Sequence, residues 1–300
     1  LDTSLDSNDT TMQKLPQTQF HTYSEPILFD KLLYSTDTIY TNYHRKEGIN
    51  ANRIDFSLPF TYSYFLLNDY IRLTLINTTT VSHLKYSNSS TQFSDGTFVE
   101  NTSIVSLGTD ITKPYDNYIH TVNFNVDFTI PTTLSETGDL YSITNSDSEL
   151  KAFSISKTLK TVDFSLNHSI YDKDDLAQIV NHKIKQSIIY SDFDTKLSNL
   201  ENEVTFNHTL GSLSNRLIYS QEDGEFIESS SGLNLSYNDY FFNATYYVSK
   251  DTPNSGKEDL ESYTLKTGFK FLDDFKLTYE QNYNIKKHLV SKDKFSFNID

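Results

Sequence analysis

Along residues 121–131, TVNFNVDFTIP, apolar side chains occupy every second position: Val122, Phe124, Val126, Phe128 and Ile130. Asn123, Asn125, Asp127 and Thr129 stand between them. A period of two describes a β-strand with two unlike faces. The pattern recurs from Asn52 onward. Ile54, Phe56, Leu58, Phe60, Tyr62 and Tyr64 alternate with Asp55, Ser57, Pro59, Thr61 and Ser63, and Ile71, Leu73 and Leu75 flank Arg72 and Thr74. Val162, Phe164 and Leu166 oppose Asp163 and Ser165; Val204 and Phe206 oppose Thr205 and Asn207. Tyr263, Leu265, Phe269 and Phe271 face away from Lys266, Gly268 and Lys270, and Phe275, Leu277 and Tyr279 from Lys276, Thr278 and Glu280. With no helix-like segment of comparable strength, the chain reads as all-β.

The connections sharpen this. Tight turns are expected at Asn68-Asp69, near Lys113–Asn117, at Leu159-Lys160, at Asn238-Asp239 and at Asp273-Asp274. Longer Ser/Thr/Asn/Asp-rich loops fall at 78–98, 131–148, 171–182, 221–231, 249–260 and 285–293. Over 52–170 and 231–300 short and long connections alternate, which in an up-and-down meander puts all tight turns at one end. Between 183 and 220 the segment NHTLGSLSNRL reads either as one bent strand or as a hairpin about Gly211-Ser212. The expected fold is an up-and-down antiparallel transmembrane β-barrel of about 12–14 strands over residues 51–300. Residues 1–50 are expected to be a polar N-terminal segment acting as mobile lead-in, tether or plug, with ILFDKLLY a candidate first strand.

Periodicity alone also allows a soluble sandwich or solenoid. Two features favour lipid on the apolar face. The patterned stretches run about 9–13 residues, the length that crosses a bilayer rather than the shorter globular strand. Phe and Tyr, 21 of each, concentrate on the apolar parity and often at strand ends, like aromatic girdles. A mean hydropathy of −0.51 excludes helical spans but not a barrel, in which only alternate residues meet lipid.

Composition narrows the partners. A formal charge of −15 argues against nucleic acid and against a polybasic membrane patch. The absence of cysteine excludes disulfides and thiolate metal sites. The single methionine is Met12, so Leu1 is not an initiator, which suits a chain whose export signal has been removed.

On this pattern the chain over about 52–300 resembles Gram-negative outer-membrane β-barrel proteins as a class. The stretch IDFSLPFTYSYFLLNDYIRLTL is similar to hairpins of outer-membrane transporters of the phenol-degradation (MetA-pathway) type. The resemblance implies residence in the cell outer membrane of a Gram-negative bacterium, amid lipid and lipopolysaccharide. One departure is the ending Phe297-Asn298-Ile299-Asp300, where such barrels close on an aromatic residue.

Candidate chemistry is sparse. Asn167-His168-Ser169 and Asn207-His208-Thr209 are the nearest approach to a lipase-like or deacylase-like pair, but neighbours on a strand point to opposite faces and cannot meet. No enzymatic role is expected. The eight histidines show no i, i+2 or i, i+4 spacing, and the acidic loops DKDD (172–175) and QEDGE (221–225) read as solvated, so neither metal nor cofactor is expected. The expected function is passage of a small solute. Candidate lumen residues are Asp55, Arg72, Asn123, Asn125, Asp127 and Asp163, then Lys266, Lys270, Lys276 and Glu280, helped by loops folding inward. The alternatives are a non-conducting barrel serving as adhesin or as sheath for a partner protein in or beneath it, and a soluble exported β-sandwich or solenoid adhesin.

Overall fold

A computed structural model describes residues 12–87, 93–191, 194–253, 256–271 and 275–299. The chain is all-β: sixteen strands in one up-and-down antiparallel sheet, with a single 3-10 helix at Ser148–Phe153 among the described residues. In chain order the strands are β1 (Gln13–Ile27), β2 (Phe29–His44), β3 (Asn50–Leu66), β4 (Ile71–Ser87), β5 (Gly96–Pro114) and β6 (Tyr118–Thr137). They continue with β7 (Lys160–Asp172), β8 (Gln178–Tyr190), β9 (Thr195–Leu197), β10 (Leu200–His208) and β11 (Gly211–Ser220). The last are β12 (Glu225–Tyr237), β13 (Tyr240–Ser249), β14 (Leu260–Phe271), β15 (Phe275–Asn284) and β16 (Leu289–Ile299). Each strand pairs with the next, except that β8 pairs with β10 while β9 lies on β8. No described helix is long and apolar enough to cross a membrane, which says nothing of a β-barrel.

Fourteen of the sixteen strands, β3–β16, fall within residues 50–299, in line with the expected 12–14, and two further strands precede them. Residues 13–44, read as lead-in, tether or plug, form β1 and β2; residues 1–11 lie outside the described residues. Around 195–208, Ile188 opposes Leu197 while Lys185 opposes Glu201, so one extra residue sits at Ser198-Asn199 between β9 and β10. That is the signature of a bulge in what is otherwise one strand position. NHTLGSLSNRL resolves as a hairpin, His208 opposing Gly211.

The expected alternation of short and long connections holds only in part, since 221–224 and 285–288 are shorter than 173–177. Residue 28 and the segments 67–70, 115–117, 173–177, 209–210 and 238–239 alternate along the chain with 45–49, 138–159, 221–224, 285–288 and three connections that are only partly described. Leu67, Asn68 and Asp69 turn with positive φ, the conformation that Asn and Asp tolerate best. The expected turn at Asp273-Asp274 lies outside the described residues. Four expectations fail. The long loop expected at 171–182 is only the turn 173–177, because β7 and β8 extend into it from both sides. Leu159-Lys160 is no tight turn but the end of connection 138–159. Pro131 does not end its strand, since β6 runs on to Thr137; losing one donor is small against a ladder of this length. Most of the expected loop 78–98 belongs to β4 and β5: Asn77 exchanges amide hydrogen bonds with Asn101 at 2.8 and 2.9 Å, so polar side chains on the apolar parity satisfy one another.

Two compact units share the sheet: residues 1–107 with 127–161, and 108–126 with 162–300. Directly opposed residues lie on the same face. In the first unit, Ile54, Phe56, Tyr62 and Tyr64 oppose His83, Val81, Leu75 and Leu73 on the apolar face, and Asp55 and Ser57 oppose Ser82 and Thr80 on the polar one. The core of this unit is on the polar side. Tyr43, Ala51, Leu84, Tyr86 and Phe98 are buried against Leu140, Leu150, Phe153 and Ile155 of the connection 138–159. In the second unit the apolar parity holds Phe206, Leu213, Leu235, Phe242, Tyr246 and Phe297, all exposed.

The exposure along β6 is inverted relative to a water-soluble strand. Phe124, Phe128, Ile130 and Leu134 are exposed, while Asn123, Asn125, Asp127 and Thr129 are half-buried. Removing apolar surface from water is favourable by about 25 cal/mol per Å², and the sheet itself leaves these side chains uncovered.

Candidate functional site

The connection 138–159 is anchored residue by residue on the polar ends of β2–β5. Gly138 opens it at φ +72, where a Cβ would lie 1.9 Å from the Asp95 carbonyl oxygen, so only glycine fits this close approach. Asp139 follows as a hub. Its carboxylate accepts from the Ser94 N–H at 2.6 Å, the Ser94 hydroxyl at 2.9 Å and the Asn145 amide at 2.8 Å. The Asn145 and Ser94 hydrogen bonds hold this carboxyl below the usual carboxylate range. The Tyr86 hydroxyl donates to the Asp139 carbonyl at 2.6 Å. Asp147 caps the 3-10 helix by accepting the Glu149 N–H at 2.9 Å, and Phe153 then stands edge-on to Tyr43 and Tyr86, with centroids at 5.4 and 5.7 Å.

Beyond this hydrophobic clamp the connection turns polar. Arg53 Nε pairs with Asp55 at 2.7 Å and Nη1 donates to the Ser154 carbonyl at 3.0 Å, so one guanidinium joins the β3 wall to the loop. Asp55 also accepts from Ser82 at 2.5 Å. Glu100, only 3% exposed, accepts from the Thr158 N–H and the Thr102 hydroxyl, each at 3.3 Å. Arg53, Asp55, Ser82, Glu100, Ser154 and Thr158 thereby line an open cleft of about 860 Å³.

The other sequence-selected residues lie on the polar parity of their own strands without converging on one spot. Arg72 opposes Phe65 near the turn end of β3–β4. Asn123 donates to Asp110, and Ser187 donates to Asp163. Asn125 and Asp127 continue the polar parity of β6. Lys266 opposes Glu280 and Lys270 opposes Lys276, while Glu280 takes an ion pair from Lys292 at 2.7 Å. A third polar grouping went unread in the sequence: Arg216 reaches Glu228 at 2.6 Å and Glu201 at 3.3 Å, and Lys257 reaches Glu228 at 2.8 Å. The Glu228 hydrogen bond and charge raise the Lys257 ammonium above its usual range. These partners come from different strands and a loop, so no spacing along the chain announces them.

The histidines are less scattered than they look in sequence. His120, His168 and His182 form a row on β6, β7 and β8, with centroids at 5.6 and 4.8 Å, and His182 also meets Asn202 at 3.2 Å. Among the described residues, however, no group of three His, Asp or Glu side chains is arranged to hold a metal ion. His168 and Ser169 do diverge: His168 contacts His182, while Ser169 accepts from Asn181 at 2.7 Å and Gln178 at 3.1 Å. Neither a protein-family model nor a curated protein matches this chain.

Proposed function

We propose that the chain forms the wall of an outer-membrane β-barrel that passes small solutes along its polar face, with the connection 138–159 as the constriction. One observation carries this reading. The loop packs on the polar side of β2–β5 and narrows a charged cleft there, while the apolar side of the strands is left bare. A soluble domain would place its covering segment on the apolar side, where burial is favourable. In lipid the preference reverses, and a loop folded onto the wet face sets the width and charge of the passage. Hydrocarbon also requires every backbone edge group to be paired, so the reading requires a strand partner for β1 and for β16.

The test is single-channel conductance in planar bilayers, with folding checked by heat-modifiable gel mobility. Unit conductance is expected from the intact chain and a larger one when residues 141–157 are replaced by a short Gly/Ser linker. Correctly folded protein without conductance steps in either form overturns passage and leaves the sheath or adhesin reading. Protein that stays monodisperse in buffer without detergent overturns the barrel itself.

A further inference from the structure

The polar parity of β12–β15 in the second unit carries a cavity unlike the acidic cleft. It is an open space of about 560 Å³ into which Asn234, Ser236, Asn243, Lys266 and Lys276 contribute, beside the ring of Phe241. Pairing explains the assembly. Asn243 opposes both Asn234 and Lys266, so β12, β13 and β14 present one lateral row of amide, amide and ammonium. In the next row Phe241 opposes Gly268, and a Cβ on Gly268 would lie 2.8 and 2.9 Å from atoms of the Phe241 ring. The missing side chain lets the ring lie across β14, and Lys276 Nζ sits over it, 5.1 Å from the centroid.

The cavity wall contains no carboxylate. The one carboxylate of the Lys266 row, Glu280 directly opposite Lys266 on β15, is ion-paired with Lys292, and neither Lys266 nor Lys276 makes a hydrogen bond or salt bridge among the described residues. On a chain of net charge −15, the polar parity of β14–β16 carries Lys266, Lys270, Lys276, Lys292 and Lys294 against Glu280. Lysines donate and cannot accept, and asparagine amides donate beside them, so the wall suits an anion with several acceptor oxygens.

We propose that Lys266 and Lys276, with Asn234 and Asn243, form an oxyanion-binding site that takes the phosphate or carboxylate group of a small solute. The site stands whether or not solutes cross the barrel.

Folded protein in neutral-detergent micelles, titrated calorimetrically with inorganic phosphate and separately with acetate, tests it. Saturable binding of at least one anion is expected; the one that binds identifies the group. Affinity should fall about tenfold in Lys266→Gln and in Lys276→Gln, in line with a charge-assisted contact. It should persist in Lys266→Arg and in the remote control Lys250→Gln, and vanish in Asn243→Asp, which adds a carboxylate to the wall. Saturation by neither anion, or saturation unchanged in both glutamine variants and in Asn243→Asp, overturns the proposal. Binding without conductance removes the passage reading and keeps this site; conductance without binding does the reverse.

Discussion

Arg53 illustrates how much one side chain holds. Its guanidinium neutralises Asp55 on its own strand and ties the Ser154 carbonyl of the loop to β3. Arg53→Met keeps the aliphatic stem but leaves Asp55 and Ser154 without that donor. Such a loss is expected to destabilise the loop contact by about 2 kcal/mol. Limited proteolysis should then show faster cleavage within 138–159 than in the wild type, with the strands still protected. Asp139 adds a pH dependence of known sign. Its carboxyl titrates lower in the folded chain than in the unfolded one, so its contribution is complete above the ordinary carboxylate range and is lost as pH falls through the depressed folded value. Urea midpoints measured from pH 7 downward should separate wild type from Asp139→Asn near neutrality and converge in acid. Neither residue was a sequence candidate. Arg53 precedes the patterned run that begins at Ile54 and nothing in the sequence marks it, and Asp139 acts through Ser94 and Asn145, one of which is distant in sequence.

Elements were legible where side chains alternate strictly and obscure where they do not. The strand about Phe124–Ile130 and the hairpin about Asn68-Asp69 follow directly from period and turn chemistry. β1 does not, because Gln13–Ile27 has polar side chains on both parities and two prolines, and its pairing with β2 contains register shifts. The end of β4 was hidden in the same way by the run from Asn77 to Thr80, where cross-strand amide pairing supplies the stability that burial does not. The placement of connection 138–159 on the polar face was unreadable, since it depends on Leu140, Leu150, Phe153 and Ile155 meeting residues of β2–β5. Gly138 gives that element its testable weak point. Gly138→Ala puts a side chain at positive φ and against the Asp95 carbonyl, and about 1–3 kcal/mol of strain is expected. Thermal unfolding should shift down accordingly, and the proteolytic pattern should match that of Arg53→Met.

For the whole molecule the deciding question is which medium each face meets, and the two faces predict opposite responses to the same substitution. Phe128 and Asn125 both lie on β6 but on opposite parities, and the apolar one is the more exposed. If the apolar face meets lipid, Phe128→Lys puts an ammonium in hydrocarbon, a penalty of about 2–4 kcal/mol near the bilayer midplane. Asn125→Lys puts the same charge on the wet side, where it is expected to leave folding yield unchanged. Refolding into lipid vesicles, read by heat-modifiable mobility and denaturant midpoint, should therefore penalise Phe128→Lys alone. A soluble single-layer sheet would respond the other way: Phe128→Lys would relieve an exposed apolar face and raise solubility in plain buffer. Asp127→Lys extends the comparison to transport. It leaves the apolar face untouched and reverses one charge on the polar parity, so the ratio of cation to anion permeability, read from reversal potentials under a salt gradient, should fall. An unchanged ratio in a conducting, correctly folded variant would remove Asp127 from the passage while leaving the assignment of the two faces to the vesicle experiment.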